Sequence, residues 1–171
     1  AHSLPTPVRL VDSGTASFGI SCCVWAAAAA IADGATLDQA AQIAEQLAPS
    51  IGNVFVVGAL DHLHAGGRGT GLTHGDDLAM LTLRDGNVEV VERLATALDA
   101  VNAMASYAIG WGTTVRVAVG HSDAATQPLA DGLEAAVGEA ASVIDVVRYR
   151  VGPSVGAHTG PGTVGCFVFP A

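Results

Sequence analysis

The chain has 171 residues, of which half are hydrophobic but only 5% are aromatic, so it suits one domain with a core built from small side chains such as Ala and Val. Its formal net charge is −9, and all seven basic residues are arginine. A phosphate footprint needs clustered positive charge, so nucleic acid and anionic membrane surfaces are poor partners. The absence of lysine also excludes a Walker A loop and Schiff-base chemistry.

The N-terminal part is predicted to contain a short strand followed by a helix. Residues 8–11 have a strand-like composition, and the polar turn at residues 13–17 can cap a helix that begins near Phe18. Residues 20–32 are apolar almost all round but too few to span a bilayer. This pattern indicates a helix buried in the core.

The rest of the chain alternates between strand and helix patterns. Thr36 and Gln39 have the spacing of a capping box, and the helix that they begin is expected to end at Pro49. The sequence Arg-Asp-Gly-Asn at residues 84–87 is a strong hairpin signal, so the sheet is not purely parallel and the fold is α/β or α+β. The predicted strands are residues 53–57, 78–83, 88–93, 114–119, 143–151 and 164–169, and further helices cover residues 94–109 and the segment after Pro128.

The three cysteines do not have the spacing of a metal site. Cys22 and Cys23 are adjacent and Cys166 stands alone, which suggests a reducing compartment without a disulfide framework. We interpret all three as small core residues. No basic segment precedes the first apolar helix, so we expect no signal peptide and a cytoplasmic location. Residues 1–7 have the character of a processed end, a tag remnant or a cut site.

The most informative segment is residues 152–162, Gly-Pro-Ser-Val-Gly-Ala-His-Thr-Gly-Pro-Gly, between the last two predicted strands. Its Gly and Pro residues predict a loop whose backbone is set by covalent geometry. His158 and Thr159 in the middle can both form hydrogen bonds. Backbone N–H groups beside an imidazole are a way to bind a carboxylate or a phosphate, so we predict a small anion site here.

Two other interpretations of polar residues are weaker. Ser154 lies in a Gly-x-Ser-x-Gly pattern, which in hydrolases joins a strand to a helix, but we expect no helix after it. No acidic residue follows Ser154, so the usual order of a catalytic triad also fails.

A metal site could be assembled from histidines and carboxylates in the glycine-rich region that follows the first predicted strand of the sheet. The two nearest histidines are only two residues apart and the segment is irregular, so exposed loop histidines are the better interpretation. The residues concerned are His62, His64, His74, Asp76 and Asp77.

Three motifs in this order resemble the DegV family, bacterial proteins that bind a long-chain fatty acid. Residues 11–19 are similar to the family's Asp-Ser-x-x-x-Ser-x-Gly stretch. The strand at residues 53–57, followed by Leu60 and by Gly-Gly-Arg at residues 66–68, is similar to its strand, turn and Gly-Gly-Arg motif. Residues 152–162 are similar to its C-terminal signature.

The resemblance implies a mixed β-sheet with helices packed on it and a place for the ligand. His158 would lie where the fatty-acid carboxylate is held, and Thr159 and Gly160 would add a hydroxyl and a backbone donor. The remaining implied ligand-binding positions are Gly156, Ser13 and Ser17, together with Arg68, which would order the interface between lobes, contact a partner or simply lie on the surface. No metal or other cofactor is implied besides the fatty acid itself.

The resemblance also implies that the chain is one part of a two-lobe protein. Residues 1–17 would end the N-terminal lobe, and residues 18–171 would form the C-terminal lipid-binding lobe. Two loops of the family's N-terminal lobe, one of Thr-Ser-Gln-Pro-Ser type and one rich in Ser, do not occur here. Two alternatives follow. Either the chain is a cut product and the missing lobe is its partner as a separate cleaved chain, or the chain is an incomplete protein that need not bind lipid.

The family's members present the bound acid to a fatty-acid kinase and are not themselves the catalyst. A basic Arg-Thr-x-Lys-Lys stretch that fits such a partner is replaced here by Leu-Ala-Thr-Ala-Leu at residues 94–98. The alternative is an enzyme subunit, since the fold is similar to that of the substrate-binding subunit of dihydroxyacetone kinase. In that case His158 would hold the substrate carbonyl covalently.

Overall fold

The computed structural model describes residues 6–65, 67 and 78–171. Within these residues the chain forms an α/β domain in which a mixed sheet lies between helices. The helices are α1 (Phe18–Ala32), α2 (Leu37–Leu47), α3 (Asp61–Ala65), α4 (Ala97–Ile109), α5 (Gln127–Gly138) and α6 (Pro153–Thr159), and the strands are β1 (Gly52–Val56), β2 (Leu78–Arg84), β3 (Asn87–Leu94), β4 (Val115–His121), β5 (Val143–Arg150) and β6 (Val164–Pro170).

The described strands form one sheet in the order β3-β2-β1-β6-β4-β5. Only β4 and β5 are parallel, and α5 provides their crossover. The other neighbouring pairs are antiparallel, and β6 is central because it pairs with β1 on one side and with β4 on the other. The sheet is therefore mixed, as the hairpin signal and the resemblance both predicted.

One face of the sheet carries the main hydrophobic core. Alternate side chains of β6, such as Val164, Cys166 and Val168, pack on this face with the apolar sides of α4 and α5. Met104 and Leu133 are fully buried between these helices and the sheet. The core is rich in Ala and Val, in agreement with the composition.

The opposite face carries aromatic side chains and is only partly covered. The β6 residues with the other orientation are Phe167 and Phe169, and Trp25 of α1 lies 6.2 Å from the ring of Phe169. Phe18, the first residue of α1, stacks on Tyr149 of β5 at 4.9 Å between ring centroids. Between these aromatic residues and the helices α3 and α6 there is space, and the candidate site lies there.

Several predicted elements are confirmed. Thr36 and Gln39 form the capping box of α2, and the helix ends before Pro49. The hairpin of β2 and β3 turns at Asp85 and Gly86, both of which have a positive φ angle. Thr96 is the N-cap of α4, so the helix begins at Ala97, three residues later than the pattern predicted, because Leu94 still belongs to β3.

Three predictions about local structure are wrong. Residues 8–11 form no strand, since they have no partner in the described sheet. The helix at residues 20–32 exists, but only Gly19, Cys22 and Cys23 of α1 are buried, so most of its apolar surface faces outward. The third error concerns residues 152–162, which contain α6 rather than a continuous loop. No described helix has the length and apolar character needed to cross a membrane.

Candidate functional site

A cavity of about 290 Å³ lies on the aromatic face of the sheet. It runs from α6 and the start of α1 across β6 and β1 toward the hairpin of β2 and β3. Its lining is apolar for most of its length, with hydroxyl groups and one imidazole at the α6 end. The lining residues are Thr15, Ala16, Ser17, Ile20, Asn53, Val54, Phe55, Leu63, Leu83, Val88, Tyr149, Val151, Ser154, Val155, His158, Thr159, Thr163, Gly165, Cys166 and Phe167.

Helix α6 places the histidine at this cavity. Gly152 is the N-cap and Pro153 occupies the first turn, where its missing N–H has no helical partner to lose. Gly160 ends the helix with φ 72° and ψ −176°, a conformation that is essentially restricted to glycine. The same Gly and Pro residues that predicted a loop are therefore the start and stop signals of a short helix.

The helix uses the backbone donors that were expected to bind an anion. The N–H of Gly156 donates to the carbonyl oxygen of Gly152 at 2.9 Å, and the N–H of Gly160 donates to that of Gly156 at 2.8 Å. Neither glycine lines the cavity. A backbone anion site at these glycines therefore does not fit this geometry, and the polar groups available to a ligand are side chains.

His158 and Thr159 form the polar end of the cavity together with Ser154. His158 is half-buried in the last turn of α6, Thr159 is buried and Ser154 is exposed in the first turn. The Thr159 hydroxyl donates to the carbonyl oxygen of Val155 at 3.3 Å. Among the described lining residues, His158 is the one side chain that can carry a positive charge near neutral pH, and none is acidic.

Ser154 lies after a strand and at the start of a helix, which is the placement that we had excluded for it. Its backbone nevertheless lacks the strain of a nucleophile elbow, because the non-glycine residues with positive φ in the described chain are Ser17 and Asp85. No acidic residue follows it in the sequence. The structure therefore gives Ser154 a lining position without the constellation of a hydrolase.

Ser17 and Tyr149 face each other at the same end of the cavity. Ser17 occupies the N-cap position of α1 with φ 55° but makes no side-chain capping bond, so the predicted cap is wrong. Burial raises the pKa of the Tyr149 phenol, while a hydrogen bond with the Ser17 side chain acts in the opposite direction. Strain at a residue whose hydroxyl points to a cavity is typical of a functional position.

Tyr149 was not predicted as a site residue, although the sequence contains its signal. In β5 the arginines Arg148 and Arg150 alternate with Tyr149 and Val151. This alternation places the latter pair on the opposite face of the sheet, where both line the cavity.

A large apolar part of the cavity lining belongs to a second hydrophobic cluster. Leu63 of α3 is buried there with Val88 of β3, and Phe55 and Leu83 pack against them. Asn53 also reaches this region, but its side-chain amide exchanges two hydrogen bonds with the backbone of Leu83, at 2.9 and 2.8 Å. The surface formed by these described residues therefore offers no unpaired polar group and suits a hydrocarbon.

The remaining candidate residues lie elsewhere. Ser13 lines a neighbouring, more polar cleft with Arg84 and Trp111 rather than the main cavity. Arg68 lies outside the described residues, as do His74, Asp76 and Asp77 of the metal hypothesis. The described residues contain no group of three potential metal ligands, and His62 instead lies against Gly160.

The cysteines are buried and free, in agreement with the prediction that they are core residues. Burial raises the pKa of the Cys22 thiol to about 12, and that of Cys166 to about 12 as well. Such thiols remain protonated at neutral pH and are poor nucleophiles. The Cys166 thiol packs in the main core beside Met104, so it is not available to a ligand in the cavity.

A mixed sheet with an apolar cavity on one face and a few polar groups in its lining defines an α/β protein with a candidate small-molecule site. The sequence profile described as "uncharacterised protein, DegV family" matches residues 1–171, and the chain belongs to this family. It is 36% identical to the DegV domain-containing protein SCO2569 from Streptomyces coelicolor, over 98% of this chain and 62% of that protein.

Solved structures of the family have the same fold. A DegV family protein from Thermus thermophilus, described by its fatty acid binding, aligns with a TM-score of 0.84 and 25% identity over 98% of this chain and 62% of its own. A DegV family protein from Eubacterium eligens loaded with heptadecanoic acid aligns with a TM-score of 0.85 and 14% identity over 96% and 62%. The chain thus spans about three fifths of the length of the relatives that it matches.

Proposed function

We propose that the chain binds a long-chain fatty acid, with the acyl tail in the cavity and the carboxylate at the His158 end. The observation that carries this proposal is the composition of the cavity lining, in which a large apolar surface is combined with the His158 imidazole and a few hydroxyl groups. Each buried methylene contributes about 0.8 kcal/mol, so an alkyl chain gains affinity with every carbon that enters. The ligands named for the structural relatives support the same chemistry.

In this arrangement His158 supplies the charge and the hydroxyls supply hydrogen bonds. A carboxylate beside the half-buried imidazole would favour its protonated form. The Tyr149 hydroxyl can donate to the ligand oxygen atoms while it accepts from Ser17. Thr159 can join it if its hydroxyl turns away from Val155. Gly156 and Gly160 act by shaping the helix that presents His158.

An acyl ligand fits this cavity better than a small ketose does. A ketose such as dihydroxyacetone carries hydroxyl groups that need partners on every side, whereas Phe55, Leu63 and Val88 offer none. If His158 bound a small ketose covalently, the apolar part of the cavity lining would make no contact with the substrate. The chain is therefore proposed to be a binding protein rather than the catalyst.

We propose that residues 1–17 end an N-terminal lobe, that residues 18–171 form the lipid-binding lobe, and that the absent lobe covers the outward face of α1. Ile20, Val24 and Ile31 are 48%, 62% and 52% exposed on a helix without any charged residue. This chain does not match about two fifths of each relative, and we propose that the corresponding part of a longer protein buries this surface. Arg68 is proposed to contact that lobe or a partner.

A fatty-acid kinase is the proposed partner in function. His158 is only half-buried and Ser154 is exposed, so a carboxylate held here would remain within reach of a second protein. The chain would present the acid, and the kinase would transfer a phosphoryl group to the carboxylate to form the acyl phosphate.

The site assignment is tested with His158→Ala in the 171-residue chain, loaded with palmitate and then washed. Loss of a charge-assisted hydrogen bond is expected to lower the bound acid on the order of tenfold. The matched control is His64→Ala, since His64 is exposed on α3 and does not line the cavity. Bound acid is measured by denaturing extraction and mass spectrometry, with native mass spectrometry of the intact chain to count ligands.

The outcomes separate the candidate functions. Equal palmitate content in both variants and the wild type would place the carboxylate elsewhere. A wild-type chain that binds no palmitate but gains the mass of a small ketose would favour the enzyme-subunit alternative. A complex heavier than this chain, which releases a second polypeptide and an acid, would support the two-lobe protein.

A further inference from the structure

The segment after α6 is fastened to the end of β4 by two consecutive side chains. The N–H of Gly162 donates to Asp123 Oδ2 at 2.7 Å, and the Ser122 hydroxyl donates to the same oxygen at 2.7 Å. The Ser122 hydroxyl also accepts from the N–H of Thr163 at 3.0 Å. The backbone adds a further bond, from the N–H of Ser122 to the carbonyl oxygen of Thr163 at 2.9 Å. Three of these hydrogen bonds join the two segments, and the bond between Ser122 and Asp123 holds the two side chains together.

This junction continues directly into the C-terminal end of α6. The Thr163 hydroxyl donates to the carbonyl oxygens of Gly160 at 2.9 Å and of Thr159 at 3.3 Å. Thr159 and Thr163 both line the cavity, and His158 is the preceding residue. The Asp123 carboxylate is therefore connected to the proposed ligand site through Gly162, to which it is hydrogen-bonded, and through the next residue, Thr163, whose hydroxyl bonds to the end of α6.

The two oxygens of Asp123 have separate tasks. Oδ1 accepts from the N–H groups of Ala125 at 2.9 Å and Thr126 at 3.2 Å, and so begins the turn that leads into α5. Oδ2 holds the segment after α6. These hydrogen bonds, with that of Gly162 the most important, lower the pKa of the Asp123 carboxyl to about 2, so the group is ionised at any physiological pH.

We propose that Asp123 is a positioning residue for the ligand site, which holds the C-terminal end of α6 so that His158 and Thr159 face the cavity. Asp123 does not itself line the cavity. Its effect on the ligand passes through Gly162 and Thr163. This inference rests on the proposed function. It means that a residue outside the cavity contributes to ligand affinity, because it fixes the position of α6.

The test uses Asp123→Ser in the 171-residue chain, because serine can still cap the following turn but is too short to reach Gly162. The dissociation constant for palmitate is expected to rise on the order of tenfold, as for a lost hydrogen bond to a charged group. The matched control is Thr96→Ala, which removes the capping bond to the N–H of Asp99 at the start of α4, away from the cavity. It lowers stability without loosening α6.

A second measurement is independent of any ligand. Amide hydrogen exchange of Gly162 and Thr163 is expected to accelerate on the order of tenfold in Asp123→Ser and to remain unchanged in Thr96→Ala. Faster exchange in both variants would mean a general loss of stability and would overturn the proposal, as would unchanged exchange in Asp123→Ser. Palmitate affinity equal to that of Thr96→Ala would also overturn it. A wild-type chain that binds no palmitate would instead refute the proposed function.

Discussion

Two glycines in neighbouring strands make room for the aromatic walls of the cavity. A Cβ atom at Gly165 would lie 2.4 Å from the carbonyl oxygen of Val54 and 2.5 Å from Cβ of Phe55. At Gly120 it would lie 2.2 Å from the Tyr149 ring. Both distances are far inside van der Waals contact, so any side chain would displace the walls. The size of the cavity is thus fixed by single residues in the sheet and not only by the helices above it.

Asp123 makes stability depend on pH in an acidic window. Its pKa is lowered from 3.8 to about 2, mainly by the N–H of Gly162, so it stabilises the folded chain above pH 3.8. That contribution is lost as the pH falls toward 2, because the carboxyl group becomes protonated in the folded state as well. Asp123→Ser is therefore expected to be less stable than the wild type at pH 5 and to approach it near pH 2.

Denaturant unfolding of both proteins at several pH values between 5 and 2 measures this difference directly. A gap in unfolding free energy that stays constant over the window would contradict a carboxylate held by Gly162. The measurement requires no ligand, so its result does not depend on what the cavity binds.

At the scale of elements, α3 packs on α6, and the His62 ring comes especially close to Gly160. A Cβ at Gly160 would lie 2.4 Å from the His62 ring, and φ 72° with ψ −176° is unfavourable for any other residue. Gly160→Ala is therefore expected to lower the free energy of unfolding by about 2–4 kcal/mol, from backbone strain and from overpacking together. Thermal or denaturant unfolding measures this cost.

A double variant separates the two causes. In His62→Ala the ring is absent, so the added cost of Gly160→Ala is expected to shrink to the backbone strain of about 1–3 kcal/mol. An unchanged cost in that background would mean that α3 does not pack on α6 as described. Gly138→Ala is the control for the loss of a glycine, since a Cβ there meets nothing within 4 Å.

The sequence predicted those elements whose signals are local. The capping box at Thr36, the Asp-Gly turn of the hairpin and the proline in the first turn of α5 each specify a structure within four residues. Helix α6 was missed because Pro153, Gly156 and Gly160 also occur in turns, and seven residues are too few for a periodic pattern. The exposure of α1 could not be predicted either, since periodicity cannot tell which neighbours are present.

Three of the predicted ligand-binding residues, His158, Thr159 and Ser17, line the cavity, and its other walls were not predicted. His158 does line a cavity, and its role there stays a proposal. Tyr149, Leu63 and Val88 come to the same cavity from β5, α3 and β3, which are distant in sequence. Their approach depends on the strand order, and a single sequence without aligned relatives does not specify it.

At the scale of the whole molecule, α1 leaves a broad apolar surface uncovered. Its 15 residues carry no charge, and Val24 is 62% exposed. An apolar surface of this kind normally marks an interaction site, because water exposure of contiguous apolar area is unfavourable. The 171-residue chain alone is therefore expected to self-associate through α1 where the remainder of a longer protein would otherwise bind.

Val24→Glu tests this surface. A charge at its centre is expected to weaken self-association, since burial of an unpaired carboxylate is costly, and to change the unfolding free energy by no more than about 0.5 kcal/mol. Leu98→Glu is the matched control, because Leu98 is 68% exposed on α4 and lies away from α1. Sedimentation velocity over a range of concentrations gives the association constants.

If the two substitutions act equally, association has no preference for α1, and the proposed place of the absent lobe loses its support. If Val24→Glu alone yields monomers, α1 is the surface that a two-lobe protein would bury, and Ile20 of α1 then connects that interface with the cavity that it lines.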